Sequence, residues 1–103
     1  MRDPHAPTYI ARRDHPTLGP LVKIGRSSDP KRRCANLGAR LITTLPASSE
    51  AFLVQALAQH RAWRIGADGY YHDRPIFSGR GEWFLFNKDT LELIEAHIAT
   101  VRP

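Results

Sequence analysis

Cysteine is almost missing from this chain: Cys34 is the single cysteine among 103 residues. An internal disulfide is therefore impossible, and cysteine usage gives no sign of an oxidising compartment. Long apolar runs are missing as well, none approaching the ~20 residues that cross a bilayer. The opening Met1-Arg2-Asp3-Pro4-His5 has no apolar stretch of the kind a secretory signal carries. These absences predict a cytoplasmic protein with no membrane partner. Repeats and low-complexity linkers are also lacking, so residues 1–103 read as one domain with a core over about 7–101. That length suffices for one core and is too short for two. No phosphate-binding Gly-rich loop, no Gly-x-Ser-x-Gly elbow and no zinc cluster occurs. A small-molecule cofactor is accordingly not expected.

What is present is the composition of a folded globule, with 42% hydrophobic residues, two Trp and four Phe. The net charge is +5, and the basic excess is mostly arginine. A basic surface of this kind favours polyanions through counterion release and steering. Arg12, Arg13, Arg26, Lys31, Arg32 and Arg33 all fall in the first third of the chain.

Local patterns give an element order. Residues 7–13 and 20–26 read as strands, joined by a turn-rich Asp14-His15-Pro16-Thr17-Leu18-Gly19 into a hairpin with a longish loop. Ser28 or Asp29 can cap a helix that Pro30 opens and Gly38 ends, with Pro30, Cys34 and Leu37 on its inner stripe. Residues 41–45 read as a third strand. A second helix opens around 46–50 and is carried by Phe52, Leu53, Ala56, Leu57 and Ala58 to near Trp63. Residues 66–81 hold five Gly or Pro and read as a loop. A short apolar segment, 82–86, precedes a final helix capped at Asn87-Lys88-Asp89, with Leu91, Ile94, Ile98 and Val101 at helical spacing. The order ββαβα, short strand, α predicts an α+β layer sandwich, with a central three-stranded antiparallel sheet flanked by helices.

Several short motifs fall in a recognisable order along these elements. Tyr9-Ile10 lies on the first strand and Lys23-Ile24-Gly25 on the second. The run Gly25-Arg26-Ser27-Ser28-Asp29-Pro30-Lys31-Arg32-Arg33 follows, and Gly81-Glu82-Trp83-Phe84 comes late. Together they resemble the GIY-YIG nuclease superfamily, in its phage and bacterial branch with a Lys-Ile-Gly second motif. The resemblance spans roughly residues 8–86 and implies an endonuclease that hydrolyses phosphodiester bonds of DNA with Mg²⁺ or Mn²⁺; RNA is not excluded.

On that resemblance Tyr9 positions or activates the attacking water. Lys23 neutralises phosphate or, if burial lowers its pKa, accepts a proton. Arg33, beside the apolar stripe and partly desolvated there, stabilises charge on the phosphate. Glu82 is the metal-binding carboxylate, and one carboxylate suits Mg²⁺. Arg26, Lys31 and Arg32 are nucleic-acid contacts, with Tyr71 and His72 able to stack or grip from the loop. Each assignment has a plainer alternative: Tyr9 a half-buried strand aromatic, Lys23 a solvated strand lysine, Glu82 a cap.

One position departs from the branch. Its second helix carries a histidine where this chain has Val54, which neither transfers a proton nor binds metal. His60 falls on another helix face, and His72 is the available substitute. Two further readings therefore stand beside the nuclease: a nucleic-acid-binding module of the same fold that cleaves weakly or not at all, and a protein-interaction accessory domain with an acidic partner. Oligomeric state is left open.

Overall fold

The computed structural model describes residues 4–59, 70–71, 74–75 and 82–102. Strand β1 (Thr8–His15) and strand β2 (Gly19–Arg26) form the hairpin. Helix α1 (Pro30–Asn36) is capped by Asp29, whose side chain accepts from the Arg32 N–H, and Gly38 follows its end at φ +64°. Strand β3 (Arg40–Leu45) returns to pair with β1, and helix α2 (Ser49–Ala58) follows. Two short strands, β4 (Tyr70–Tyr71) and β5 (Arg74–Pro75), pair with each other. Strand β6 (Glu82–Leu85) and helix α3 (Lys88–Val101) complete the order.

The α+β class and the element order agree with the sequence; the sheet does not. It has four antiparallel strands, β3-β1-β2-β6, where three were expected. The fourth is the short apolar run, which pairs along β2 from Leu21↔Leu85 to Ile24↔Glu82. Trp83 packs with Leu21, whereas Phe84 joins the cluster of Ile10, Val22 and Ile24. The sequence reads this run as a short strand but not as a member of the main sheet. A strand buried on both faces lacks the polar–apolar alternation of a sheet face. The expected loop 66–81 likewise contains the small β4–β5 ladder.

The central strands β1 and β2 are covered on both sides. Ile10, Val22, Ile24, Leu45 and Phe84 pack with Leu53 and Leu57 of α2 and Ile94 of α3. Tyr9 and Ala11 pack on the other side with Cys34 and Leu37 of the α1 segment. Strand alternation sends neighbouring residues to these two faces, so four or five successive residues of each strand are buried.

Other details differ from the sequence reading for local reasons. The hairpin loop is shorter than expected, because the ladder continues to His15↔Gly19. The His15 Nδ1 accepts from the N–H groups of Thr17 and Leu18, both at 3.1 Å, and closes the turn. A register shift between Ile10 and Ala11 leaves Ile42 exposed on β3. Phe52 is exposed and stacks on His97 at 4.7 Å between ring centroids, so it lies outside the α2 core stripe. Leu91 is also exposed. Helix α2 ends at Ala58, and Trp63 lies outside the described residues.

Candidate functional site

The site is built on the face of the sheet that α1 covers. Tyr9 is 1% exposed, and its partner across the β1–β2 ladder is Gly25. The phenol ring lies over that glycine: a Cβ at position 25 would stand 2.5 Å from the Tyr9 hydroxyl. Gly25 has an ordinary negative φ, so close approach of the ring, and not backbone conformation, requires glycine. Tyr9 is therefore neither solvated nor half-buried.

Arg33, carried by α1, stands near enough to this hydroxyl to lower its pKa. Burial pushes the Tyr9 pKa up; Arg33 pulls it down, and the charges of Cys34 and Glu50 add to the rise. Burial wins, so the phenol stays protonated at neutral pH. It is a donor that can orient an oxygen, not a resident base. The expectation for Arg33 itself needs correcting. The residue is exposed rather than partly desolvated, because α1 turns Cys34 and Leu37 inward and leaves Lys31, Arg32 and Arg33 in solvent. The buried member of the pair is Tyr9.

Lys23 is 4% exposed, which rules out the solvated strand lysine. It stands opposite Ala11 on one side and Trp83 on the other. Its Nζ lies 5.7 Å from the centroid of the Trp83 ring, within cation–π range. Two strand positions separate it from Gly25, which makes it a diagonal neighbour of Tyr9, about 7–8 Å away across the sheet.

Glu50 is a group that sequence reasoning did not place in the site. The buried Thr8 Oγ1 accepts from the Glu50 N–H at 2.9 Å and donates to the Ala47 carbonyl at 3.2 Å. This ties the start of α2 to the residue beside Tyr9. Its sequence signals are an acidic residue in the first helical turn, which has an ordinary reading as a helix-dipole partner, and its match to the glutamate of the second-helix pattern that the resemblance implies. Val54 is half-buried and packs against the α2–α3 core cluster.

The remaining expected contacts fall as follows. Arg26 is half-buried, with Nε donating to the Ala6 carbonyl at 3.0 Å, so part of its fork is committed to the backbone. Lys31 and Arg32 are exposed on α1, on the same helix as Arg33. Glu82 opens β6 opposite Ile24, one register step from the Trp83↔Lys23 pair. Tyr71 pairs with Arg74. The side chains of Glu82 and Tyr71, and the whole of His60 and His72, lie outside the described residues.

Among the described residues no three His, Cys, Asp or Glu side chains come together as a metal cage. Mg²⁺ does not require one, since it keeps several waters and binds through one or two carboxylates plus substrate phosphate. A carboxylate at Glu82 fits that chemistry as a donor type. No helix among the described residues is long and apolar enough to cross a membrane.

No protein-family model, curated protein or solved structure matches the chain. Its functional reading rests on the site itself and on the motifs that compose it.

Proposed function

We propose that this chain is a divalent-metal-dependent endonuclease of the GIY-YIG kind, hydrolysing phosphodiester bonds of DNA in the cytoplasm. The observation that carries the reading is the meeting of Tyr9, Gly25 and Arg33. A buried, neutral phenol lies across a glycine and within electrostatic reach of an exposed guanidinium. That is an arrangement for holding a phosphate: Arg33 faces solvent, where a backbone can reach it, and Tyr9 fixes its position.

In the reaction, Tyr9 orients the attacking water or a non-bridging oxygen by donating its proton in a hydrogen bond. Arg33 stabilises the negative charge that grows on the phosphate, an effect that is often the largest single contribution to such catalysis. Lys23 lies beneath the site against Trp83, where it would neutralise phosphate or accept a proton. Glu82 would hold Mg²⁺ or Mn²⁺, which supplies charge neutralisation and polarisation of the phosphate. Lys31, Arg32 and Arg26 add backbone contacts from the start of α1 and the end of β2.

Val54 supports a second reading. Packed on the core, it provides no proton-transfer group at the position where the branch has histidine. A DNA-binding module with weak or absent cleavage keeps the same basic face.

Nicking of supercoiled plasmid with Mg²⁺ or Mn²⁺ decides between them. Wild type is expected to nick, and Glu82→Ala and Arg33→Ala to lose most of that activity. Wild type that is inert with both metals, yet binds the plasmid, sinks the nuclease reading and leaves the module. Equal nicking by all three proteins assigns the activity to a contaminant.

A further inference from the structure

A second basic feature lies where β1 and β3 part. Their ladder reaches Arg12 opposite Arg40 and stops there. Beside this end an open depression of about 510 Å³ is lined by Arg12, Arg13, Asp14, Gly38, Ala39 and Arg40. Three guanidinium groups thus border it with one carboxylate.

Two of the three arginines are already held in place. Arg12 lies over the Phe86 ring at 5.6 Å, and its Nε meets Asp14 Oδ1 at 3.2 Å. Arg13 donates from Nη1 to the Leu37 carbonyl at the end of α1, at 2.8 Å. Neighbours on a strand leave it on opposite faces, so Arg13 lines the depression from the α1 side and Arg12, with Arg40 opposite it, from the other. Gly38 keeps it open beside Arg13: a Cβ there would stand 3.2 Å from Nη1. Arg40, exposed, completes the rim. Like charges directly opposite on paired strands weaken a sheet, and Arg12 stands opposite Arg40 in this way. An anion bridging the arginines removes that repulsion. Guanidinium forks held before binding lose little freedom when they grip phosphate.

We infer that this depression is a second phosphate-binding site, which grips the DNA backbone away from the bond held at Tyr9 and Arg33. The inference rests on reading the chain as a binder of DNA backbone, and it does not depend on cleavage. Arg13 shares a face with Tyr9 and lies four residues along β1, about 13 Å at the rise of a strand. Arg12, with Arg40 opposite it, lies on the other face, so a backbone touching both places crosses the sheet edge beside Arg40.

The test is binding of a fluorescein-labelled duplex of about 20 base pairs, followed by anisotropy across a salt series. Three variants are compared with wild type: Arg40→Ala, Arg40→Lys and Ala99→Glu. Arg40→Ala and Ala99→Glu lower the net charge equally, but Ala99 is exposed on α3 and does not line the depression. Arg40→Ala is expected to weaken binding about tenfold more than Ala99→Glu and to lower the log–log salt slope by about 1. Arg40→Lys, which keeps the charge, restores most of the affinity. Equal losses for Arg40→Ala and Ala99→Glu overturn the site, as does absence of wild-type binding. Plasmid nicking reads the nuclease proposal separately. A protein that nicks but binds independently of Arg40 loses only this site, and one that binds through Arg40 without nicking loses only the nuclease.

Discussion

The Tyr9 ring occupies the space where a side chain at Gly25 would begin. A Cβ there would stand 2.5 Å from the hydroxyl, 2.6 Å from Cζ and 2.9 Å from Cε1. The ring has no room to retreat, since Tyr9 is buried among Ala11, Cys34 and Leu37. Gly25→Ala should therefore force the phenol out of register and cost about 2 kcal/mol, in the range of core overpacking. Urea denaturation measures it. If the clash is the cause, the cost should largely vanish in a Tyr9→Leu background; an additive double mutant would refute that account.

Thr8 carries the second expectation. Its buried hydroxyl serves the Glu50 N–H and the Ala47 carbonyl together, joining β1 to the start of α2. Thr8→Val keeps the shape and deletes both bonds, leaving two backbone groups short of a partner. A loss of about 2 kcal/mol follows. Thr8→Ser should stay close to wild type, as read from urea midpoints, because it retains the hydroxyl. A Ser variant as weak as Val would move the effect to the lost methyl group.

How much of this was legible depends on how local the cause is. Helix α1 was readable because its cap, its opening proline and its closing glycine sit together at residues 29, 30 and 38. The Tyr9, Lys23 and Arg33 candidates were readable through short motifs, and the structure brings the first two to one face and Arg33 within electrostatic reach of Tyr9. Partners far apart in sequence were not readable. Nothing near Trp83 indicates that it pairs with Lys23, so the short strand was readable but not its place in the main sheet. Nothing near Glu50 indicates Thr8. Phe52 follows the helical pattern of a core residue, yet it meets His97 at the surface. Periodicity sees one helix at a time and not the neighbour that covers it.

Alkaline pH should probe the buried phenol. Tyr9 is raised above its ordinary value of 10.0, chiefly by burial. Below 10 it is protonated in both folded and unfolded chains and leaves stability independent of pH. Above 10 the unfolded chain loses the proton first, so it binds fewer protons than the folded chain. Stability then falls as pH rises toward the folded value. Cys34, raised above 9.0 by burial, adds a loss of the same sign that begins one unit lower. Tyr9→Phe should show a shallower decline beyond pH 10 in urea midpoints. An identical decline would mean that the phenol is not protected.

Arg33 offers the sharpest separation of chemistry from folding. Its side chain is exposed, so Arg33→Ala should leave the urea midpoint within about 0.5 kcal/mol of wild type. Two other readings should change. Plasmid nicking should fall by roughly 100-fold or more, the usual scale for removing a donor that stabilises transition-state charge. The Tyr9 phenol should also titrate higher than in wild type, because Arg33 is what lowers it. Ultraviolet absorbance of phenolate reports that shift, with Tyr9→Phe identifying which tyrosine contributes. Arg33→Lys separates charge from shape: a lysine restores part of the electrostatic pull on Tyr9 but lacks the planar fork that grips two phosphate oxygens. It should recover the titration more fully than the nicking. Loss of nicking with an unmoved phenol would place Arg33 on the DNA but not on Tyr9, and the two-residue centre would have to be abandoned.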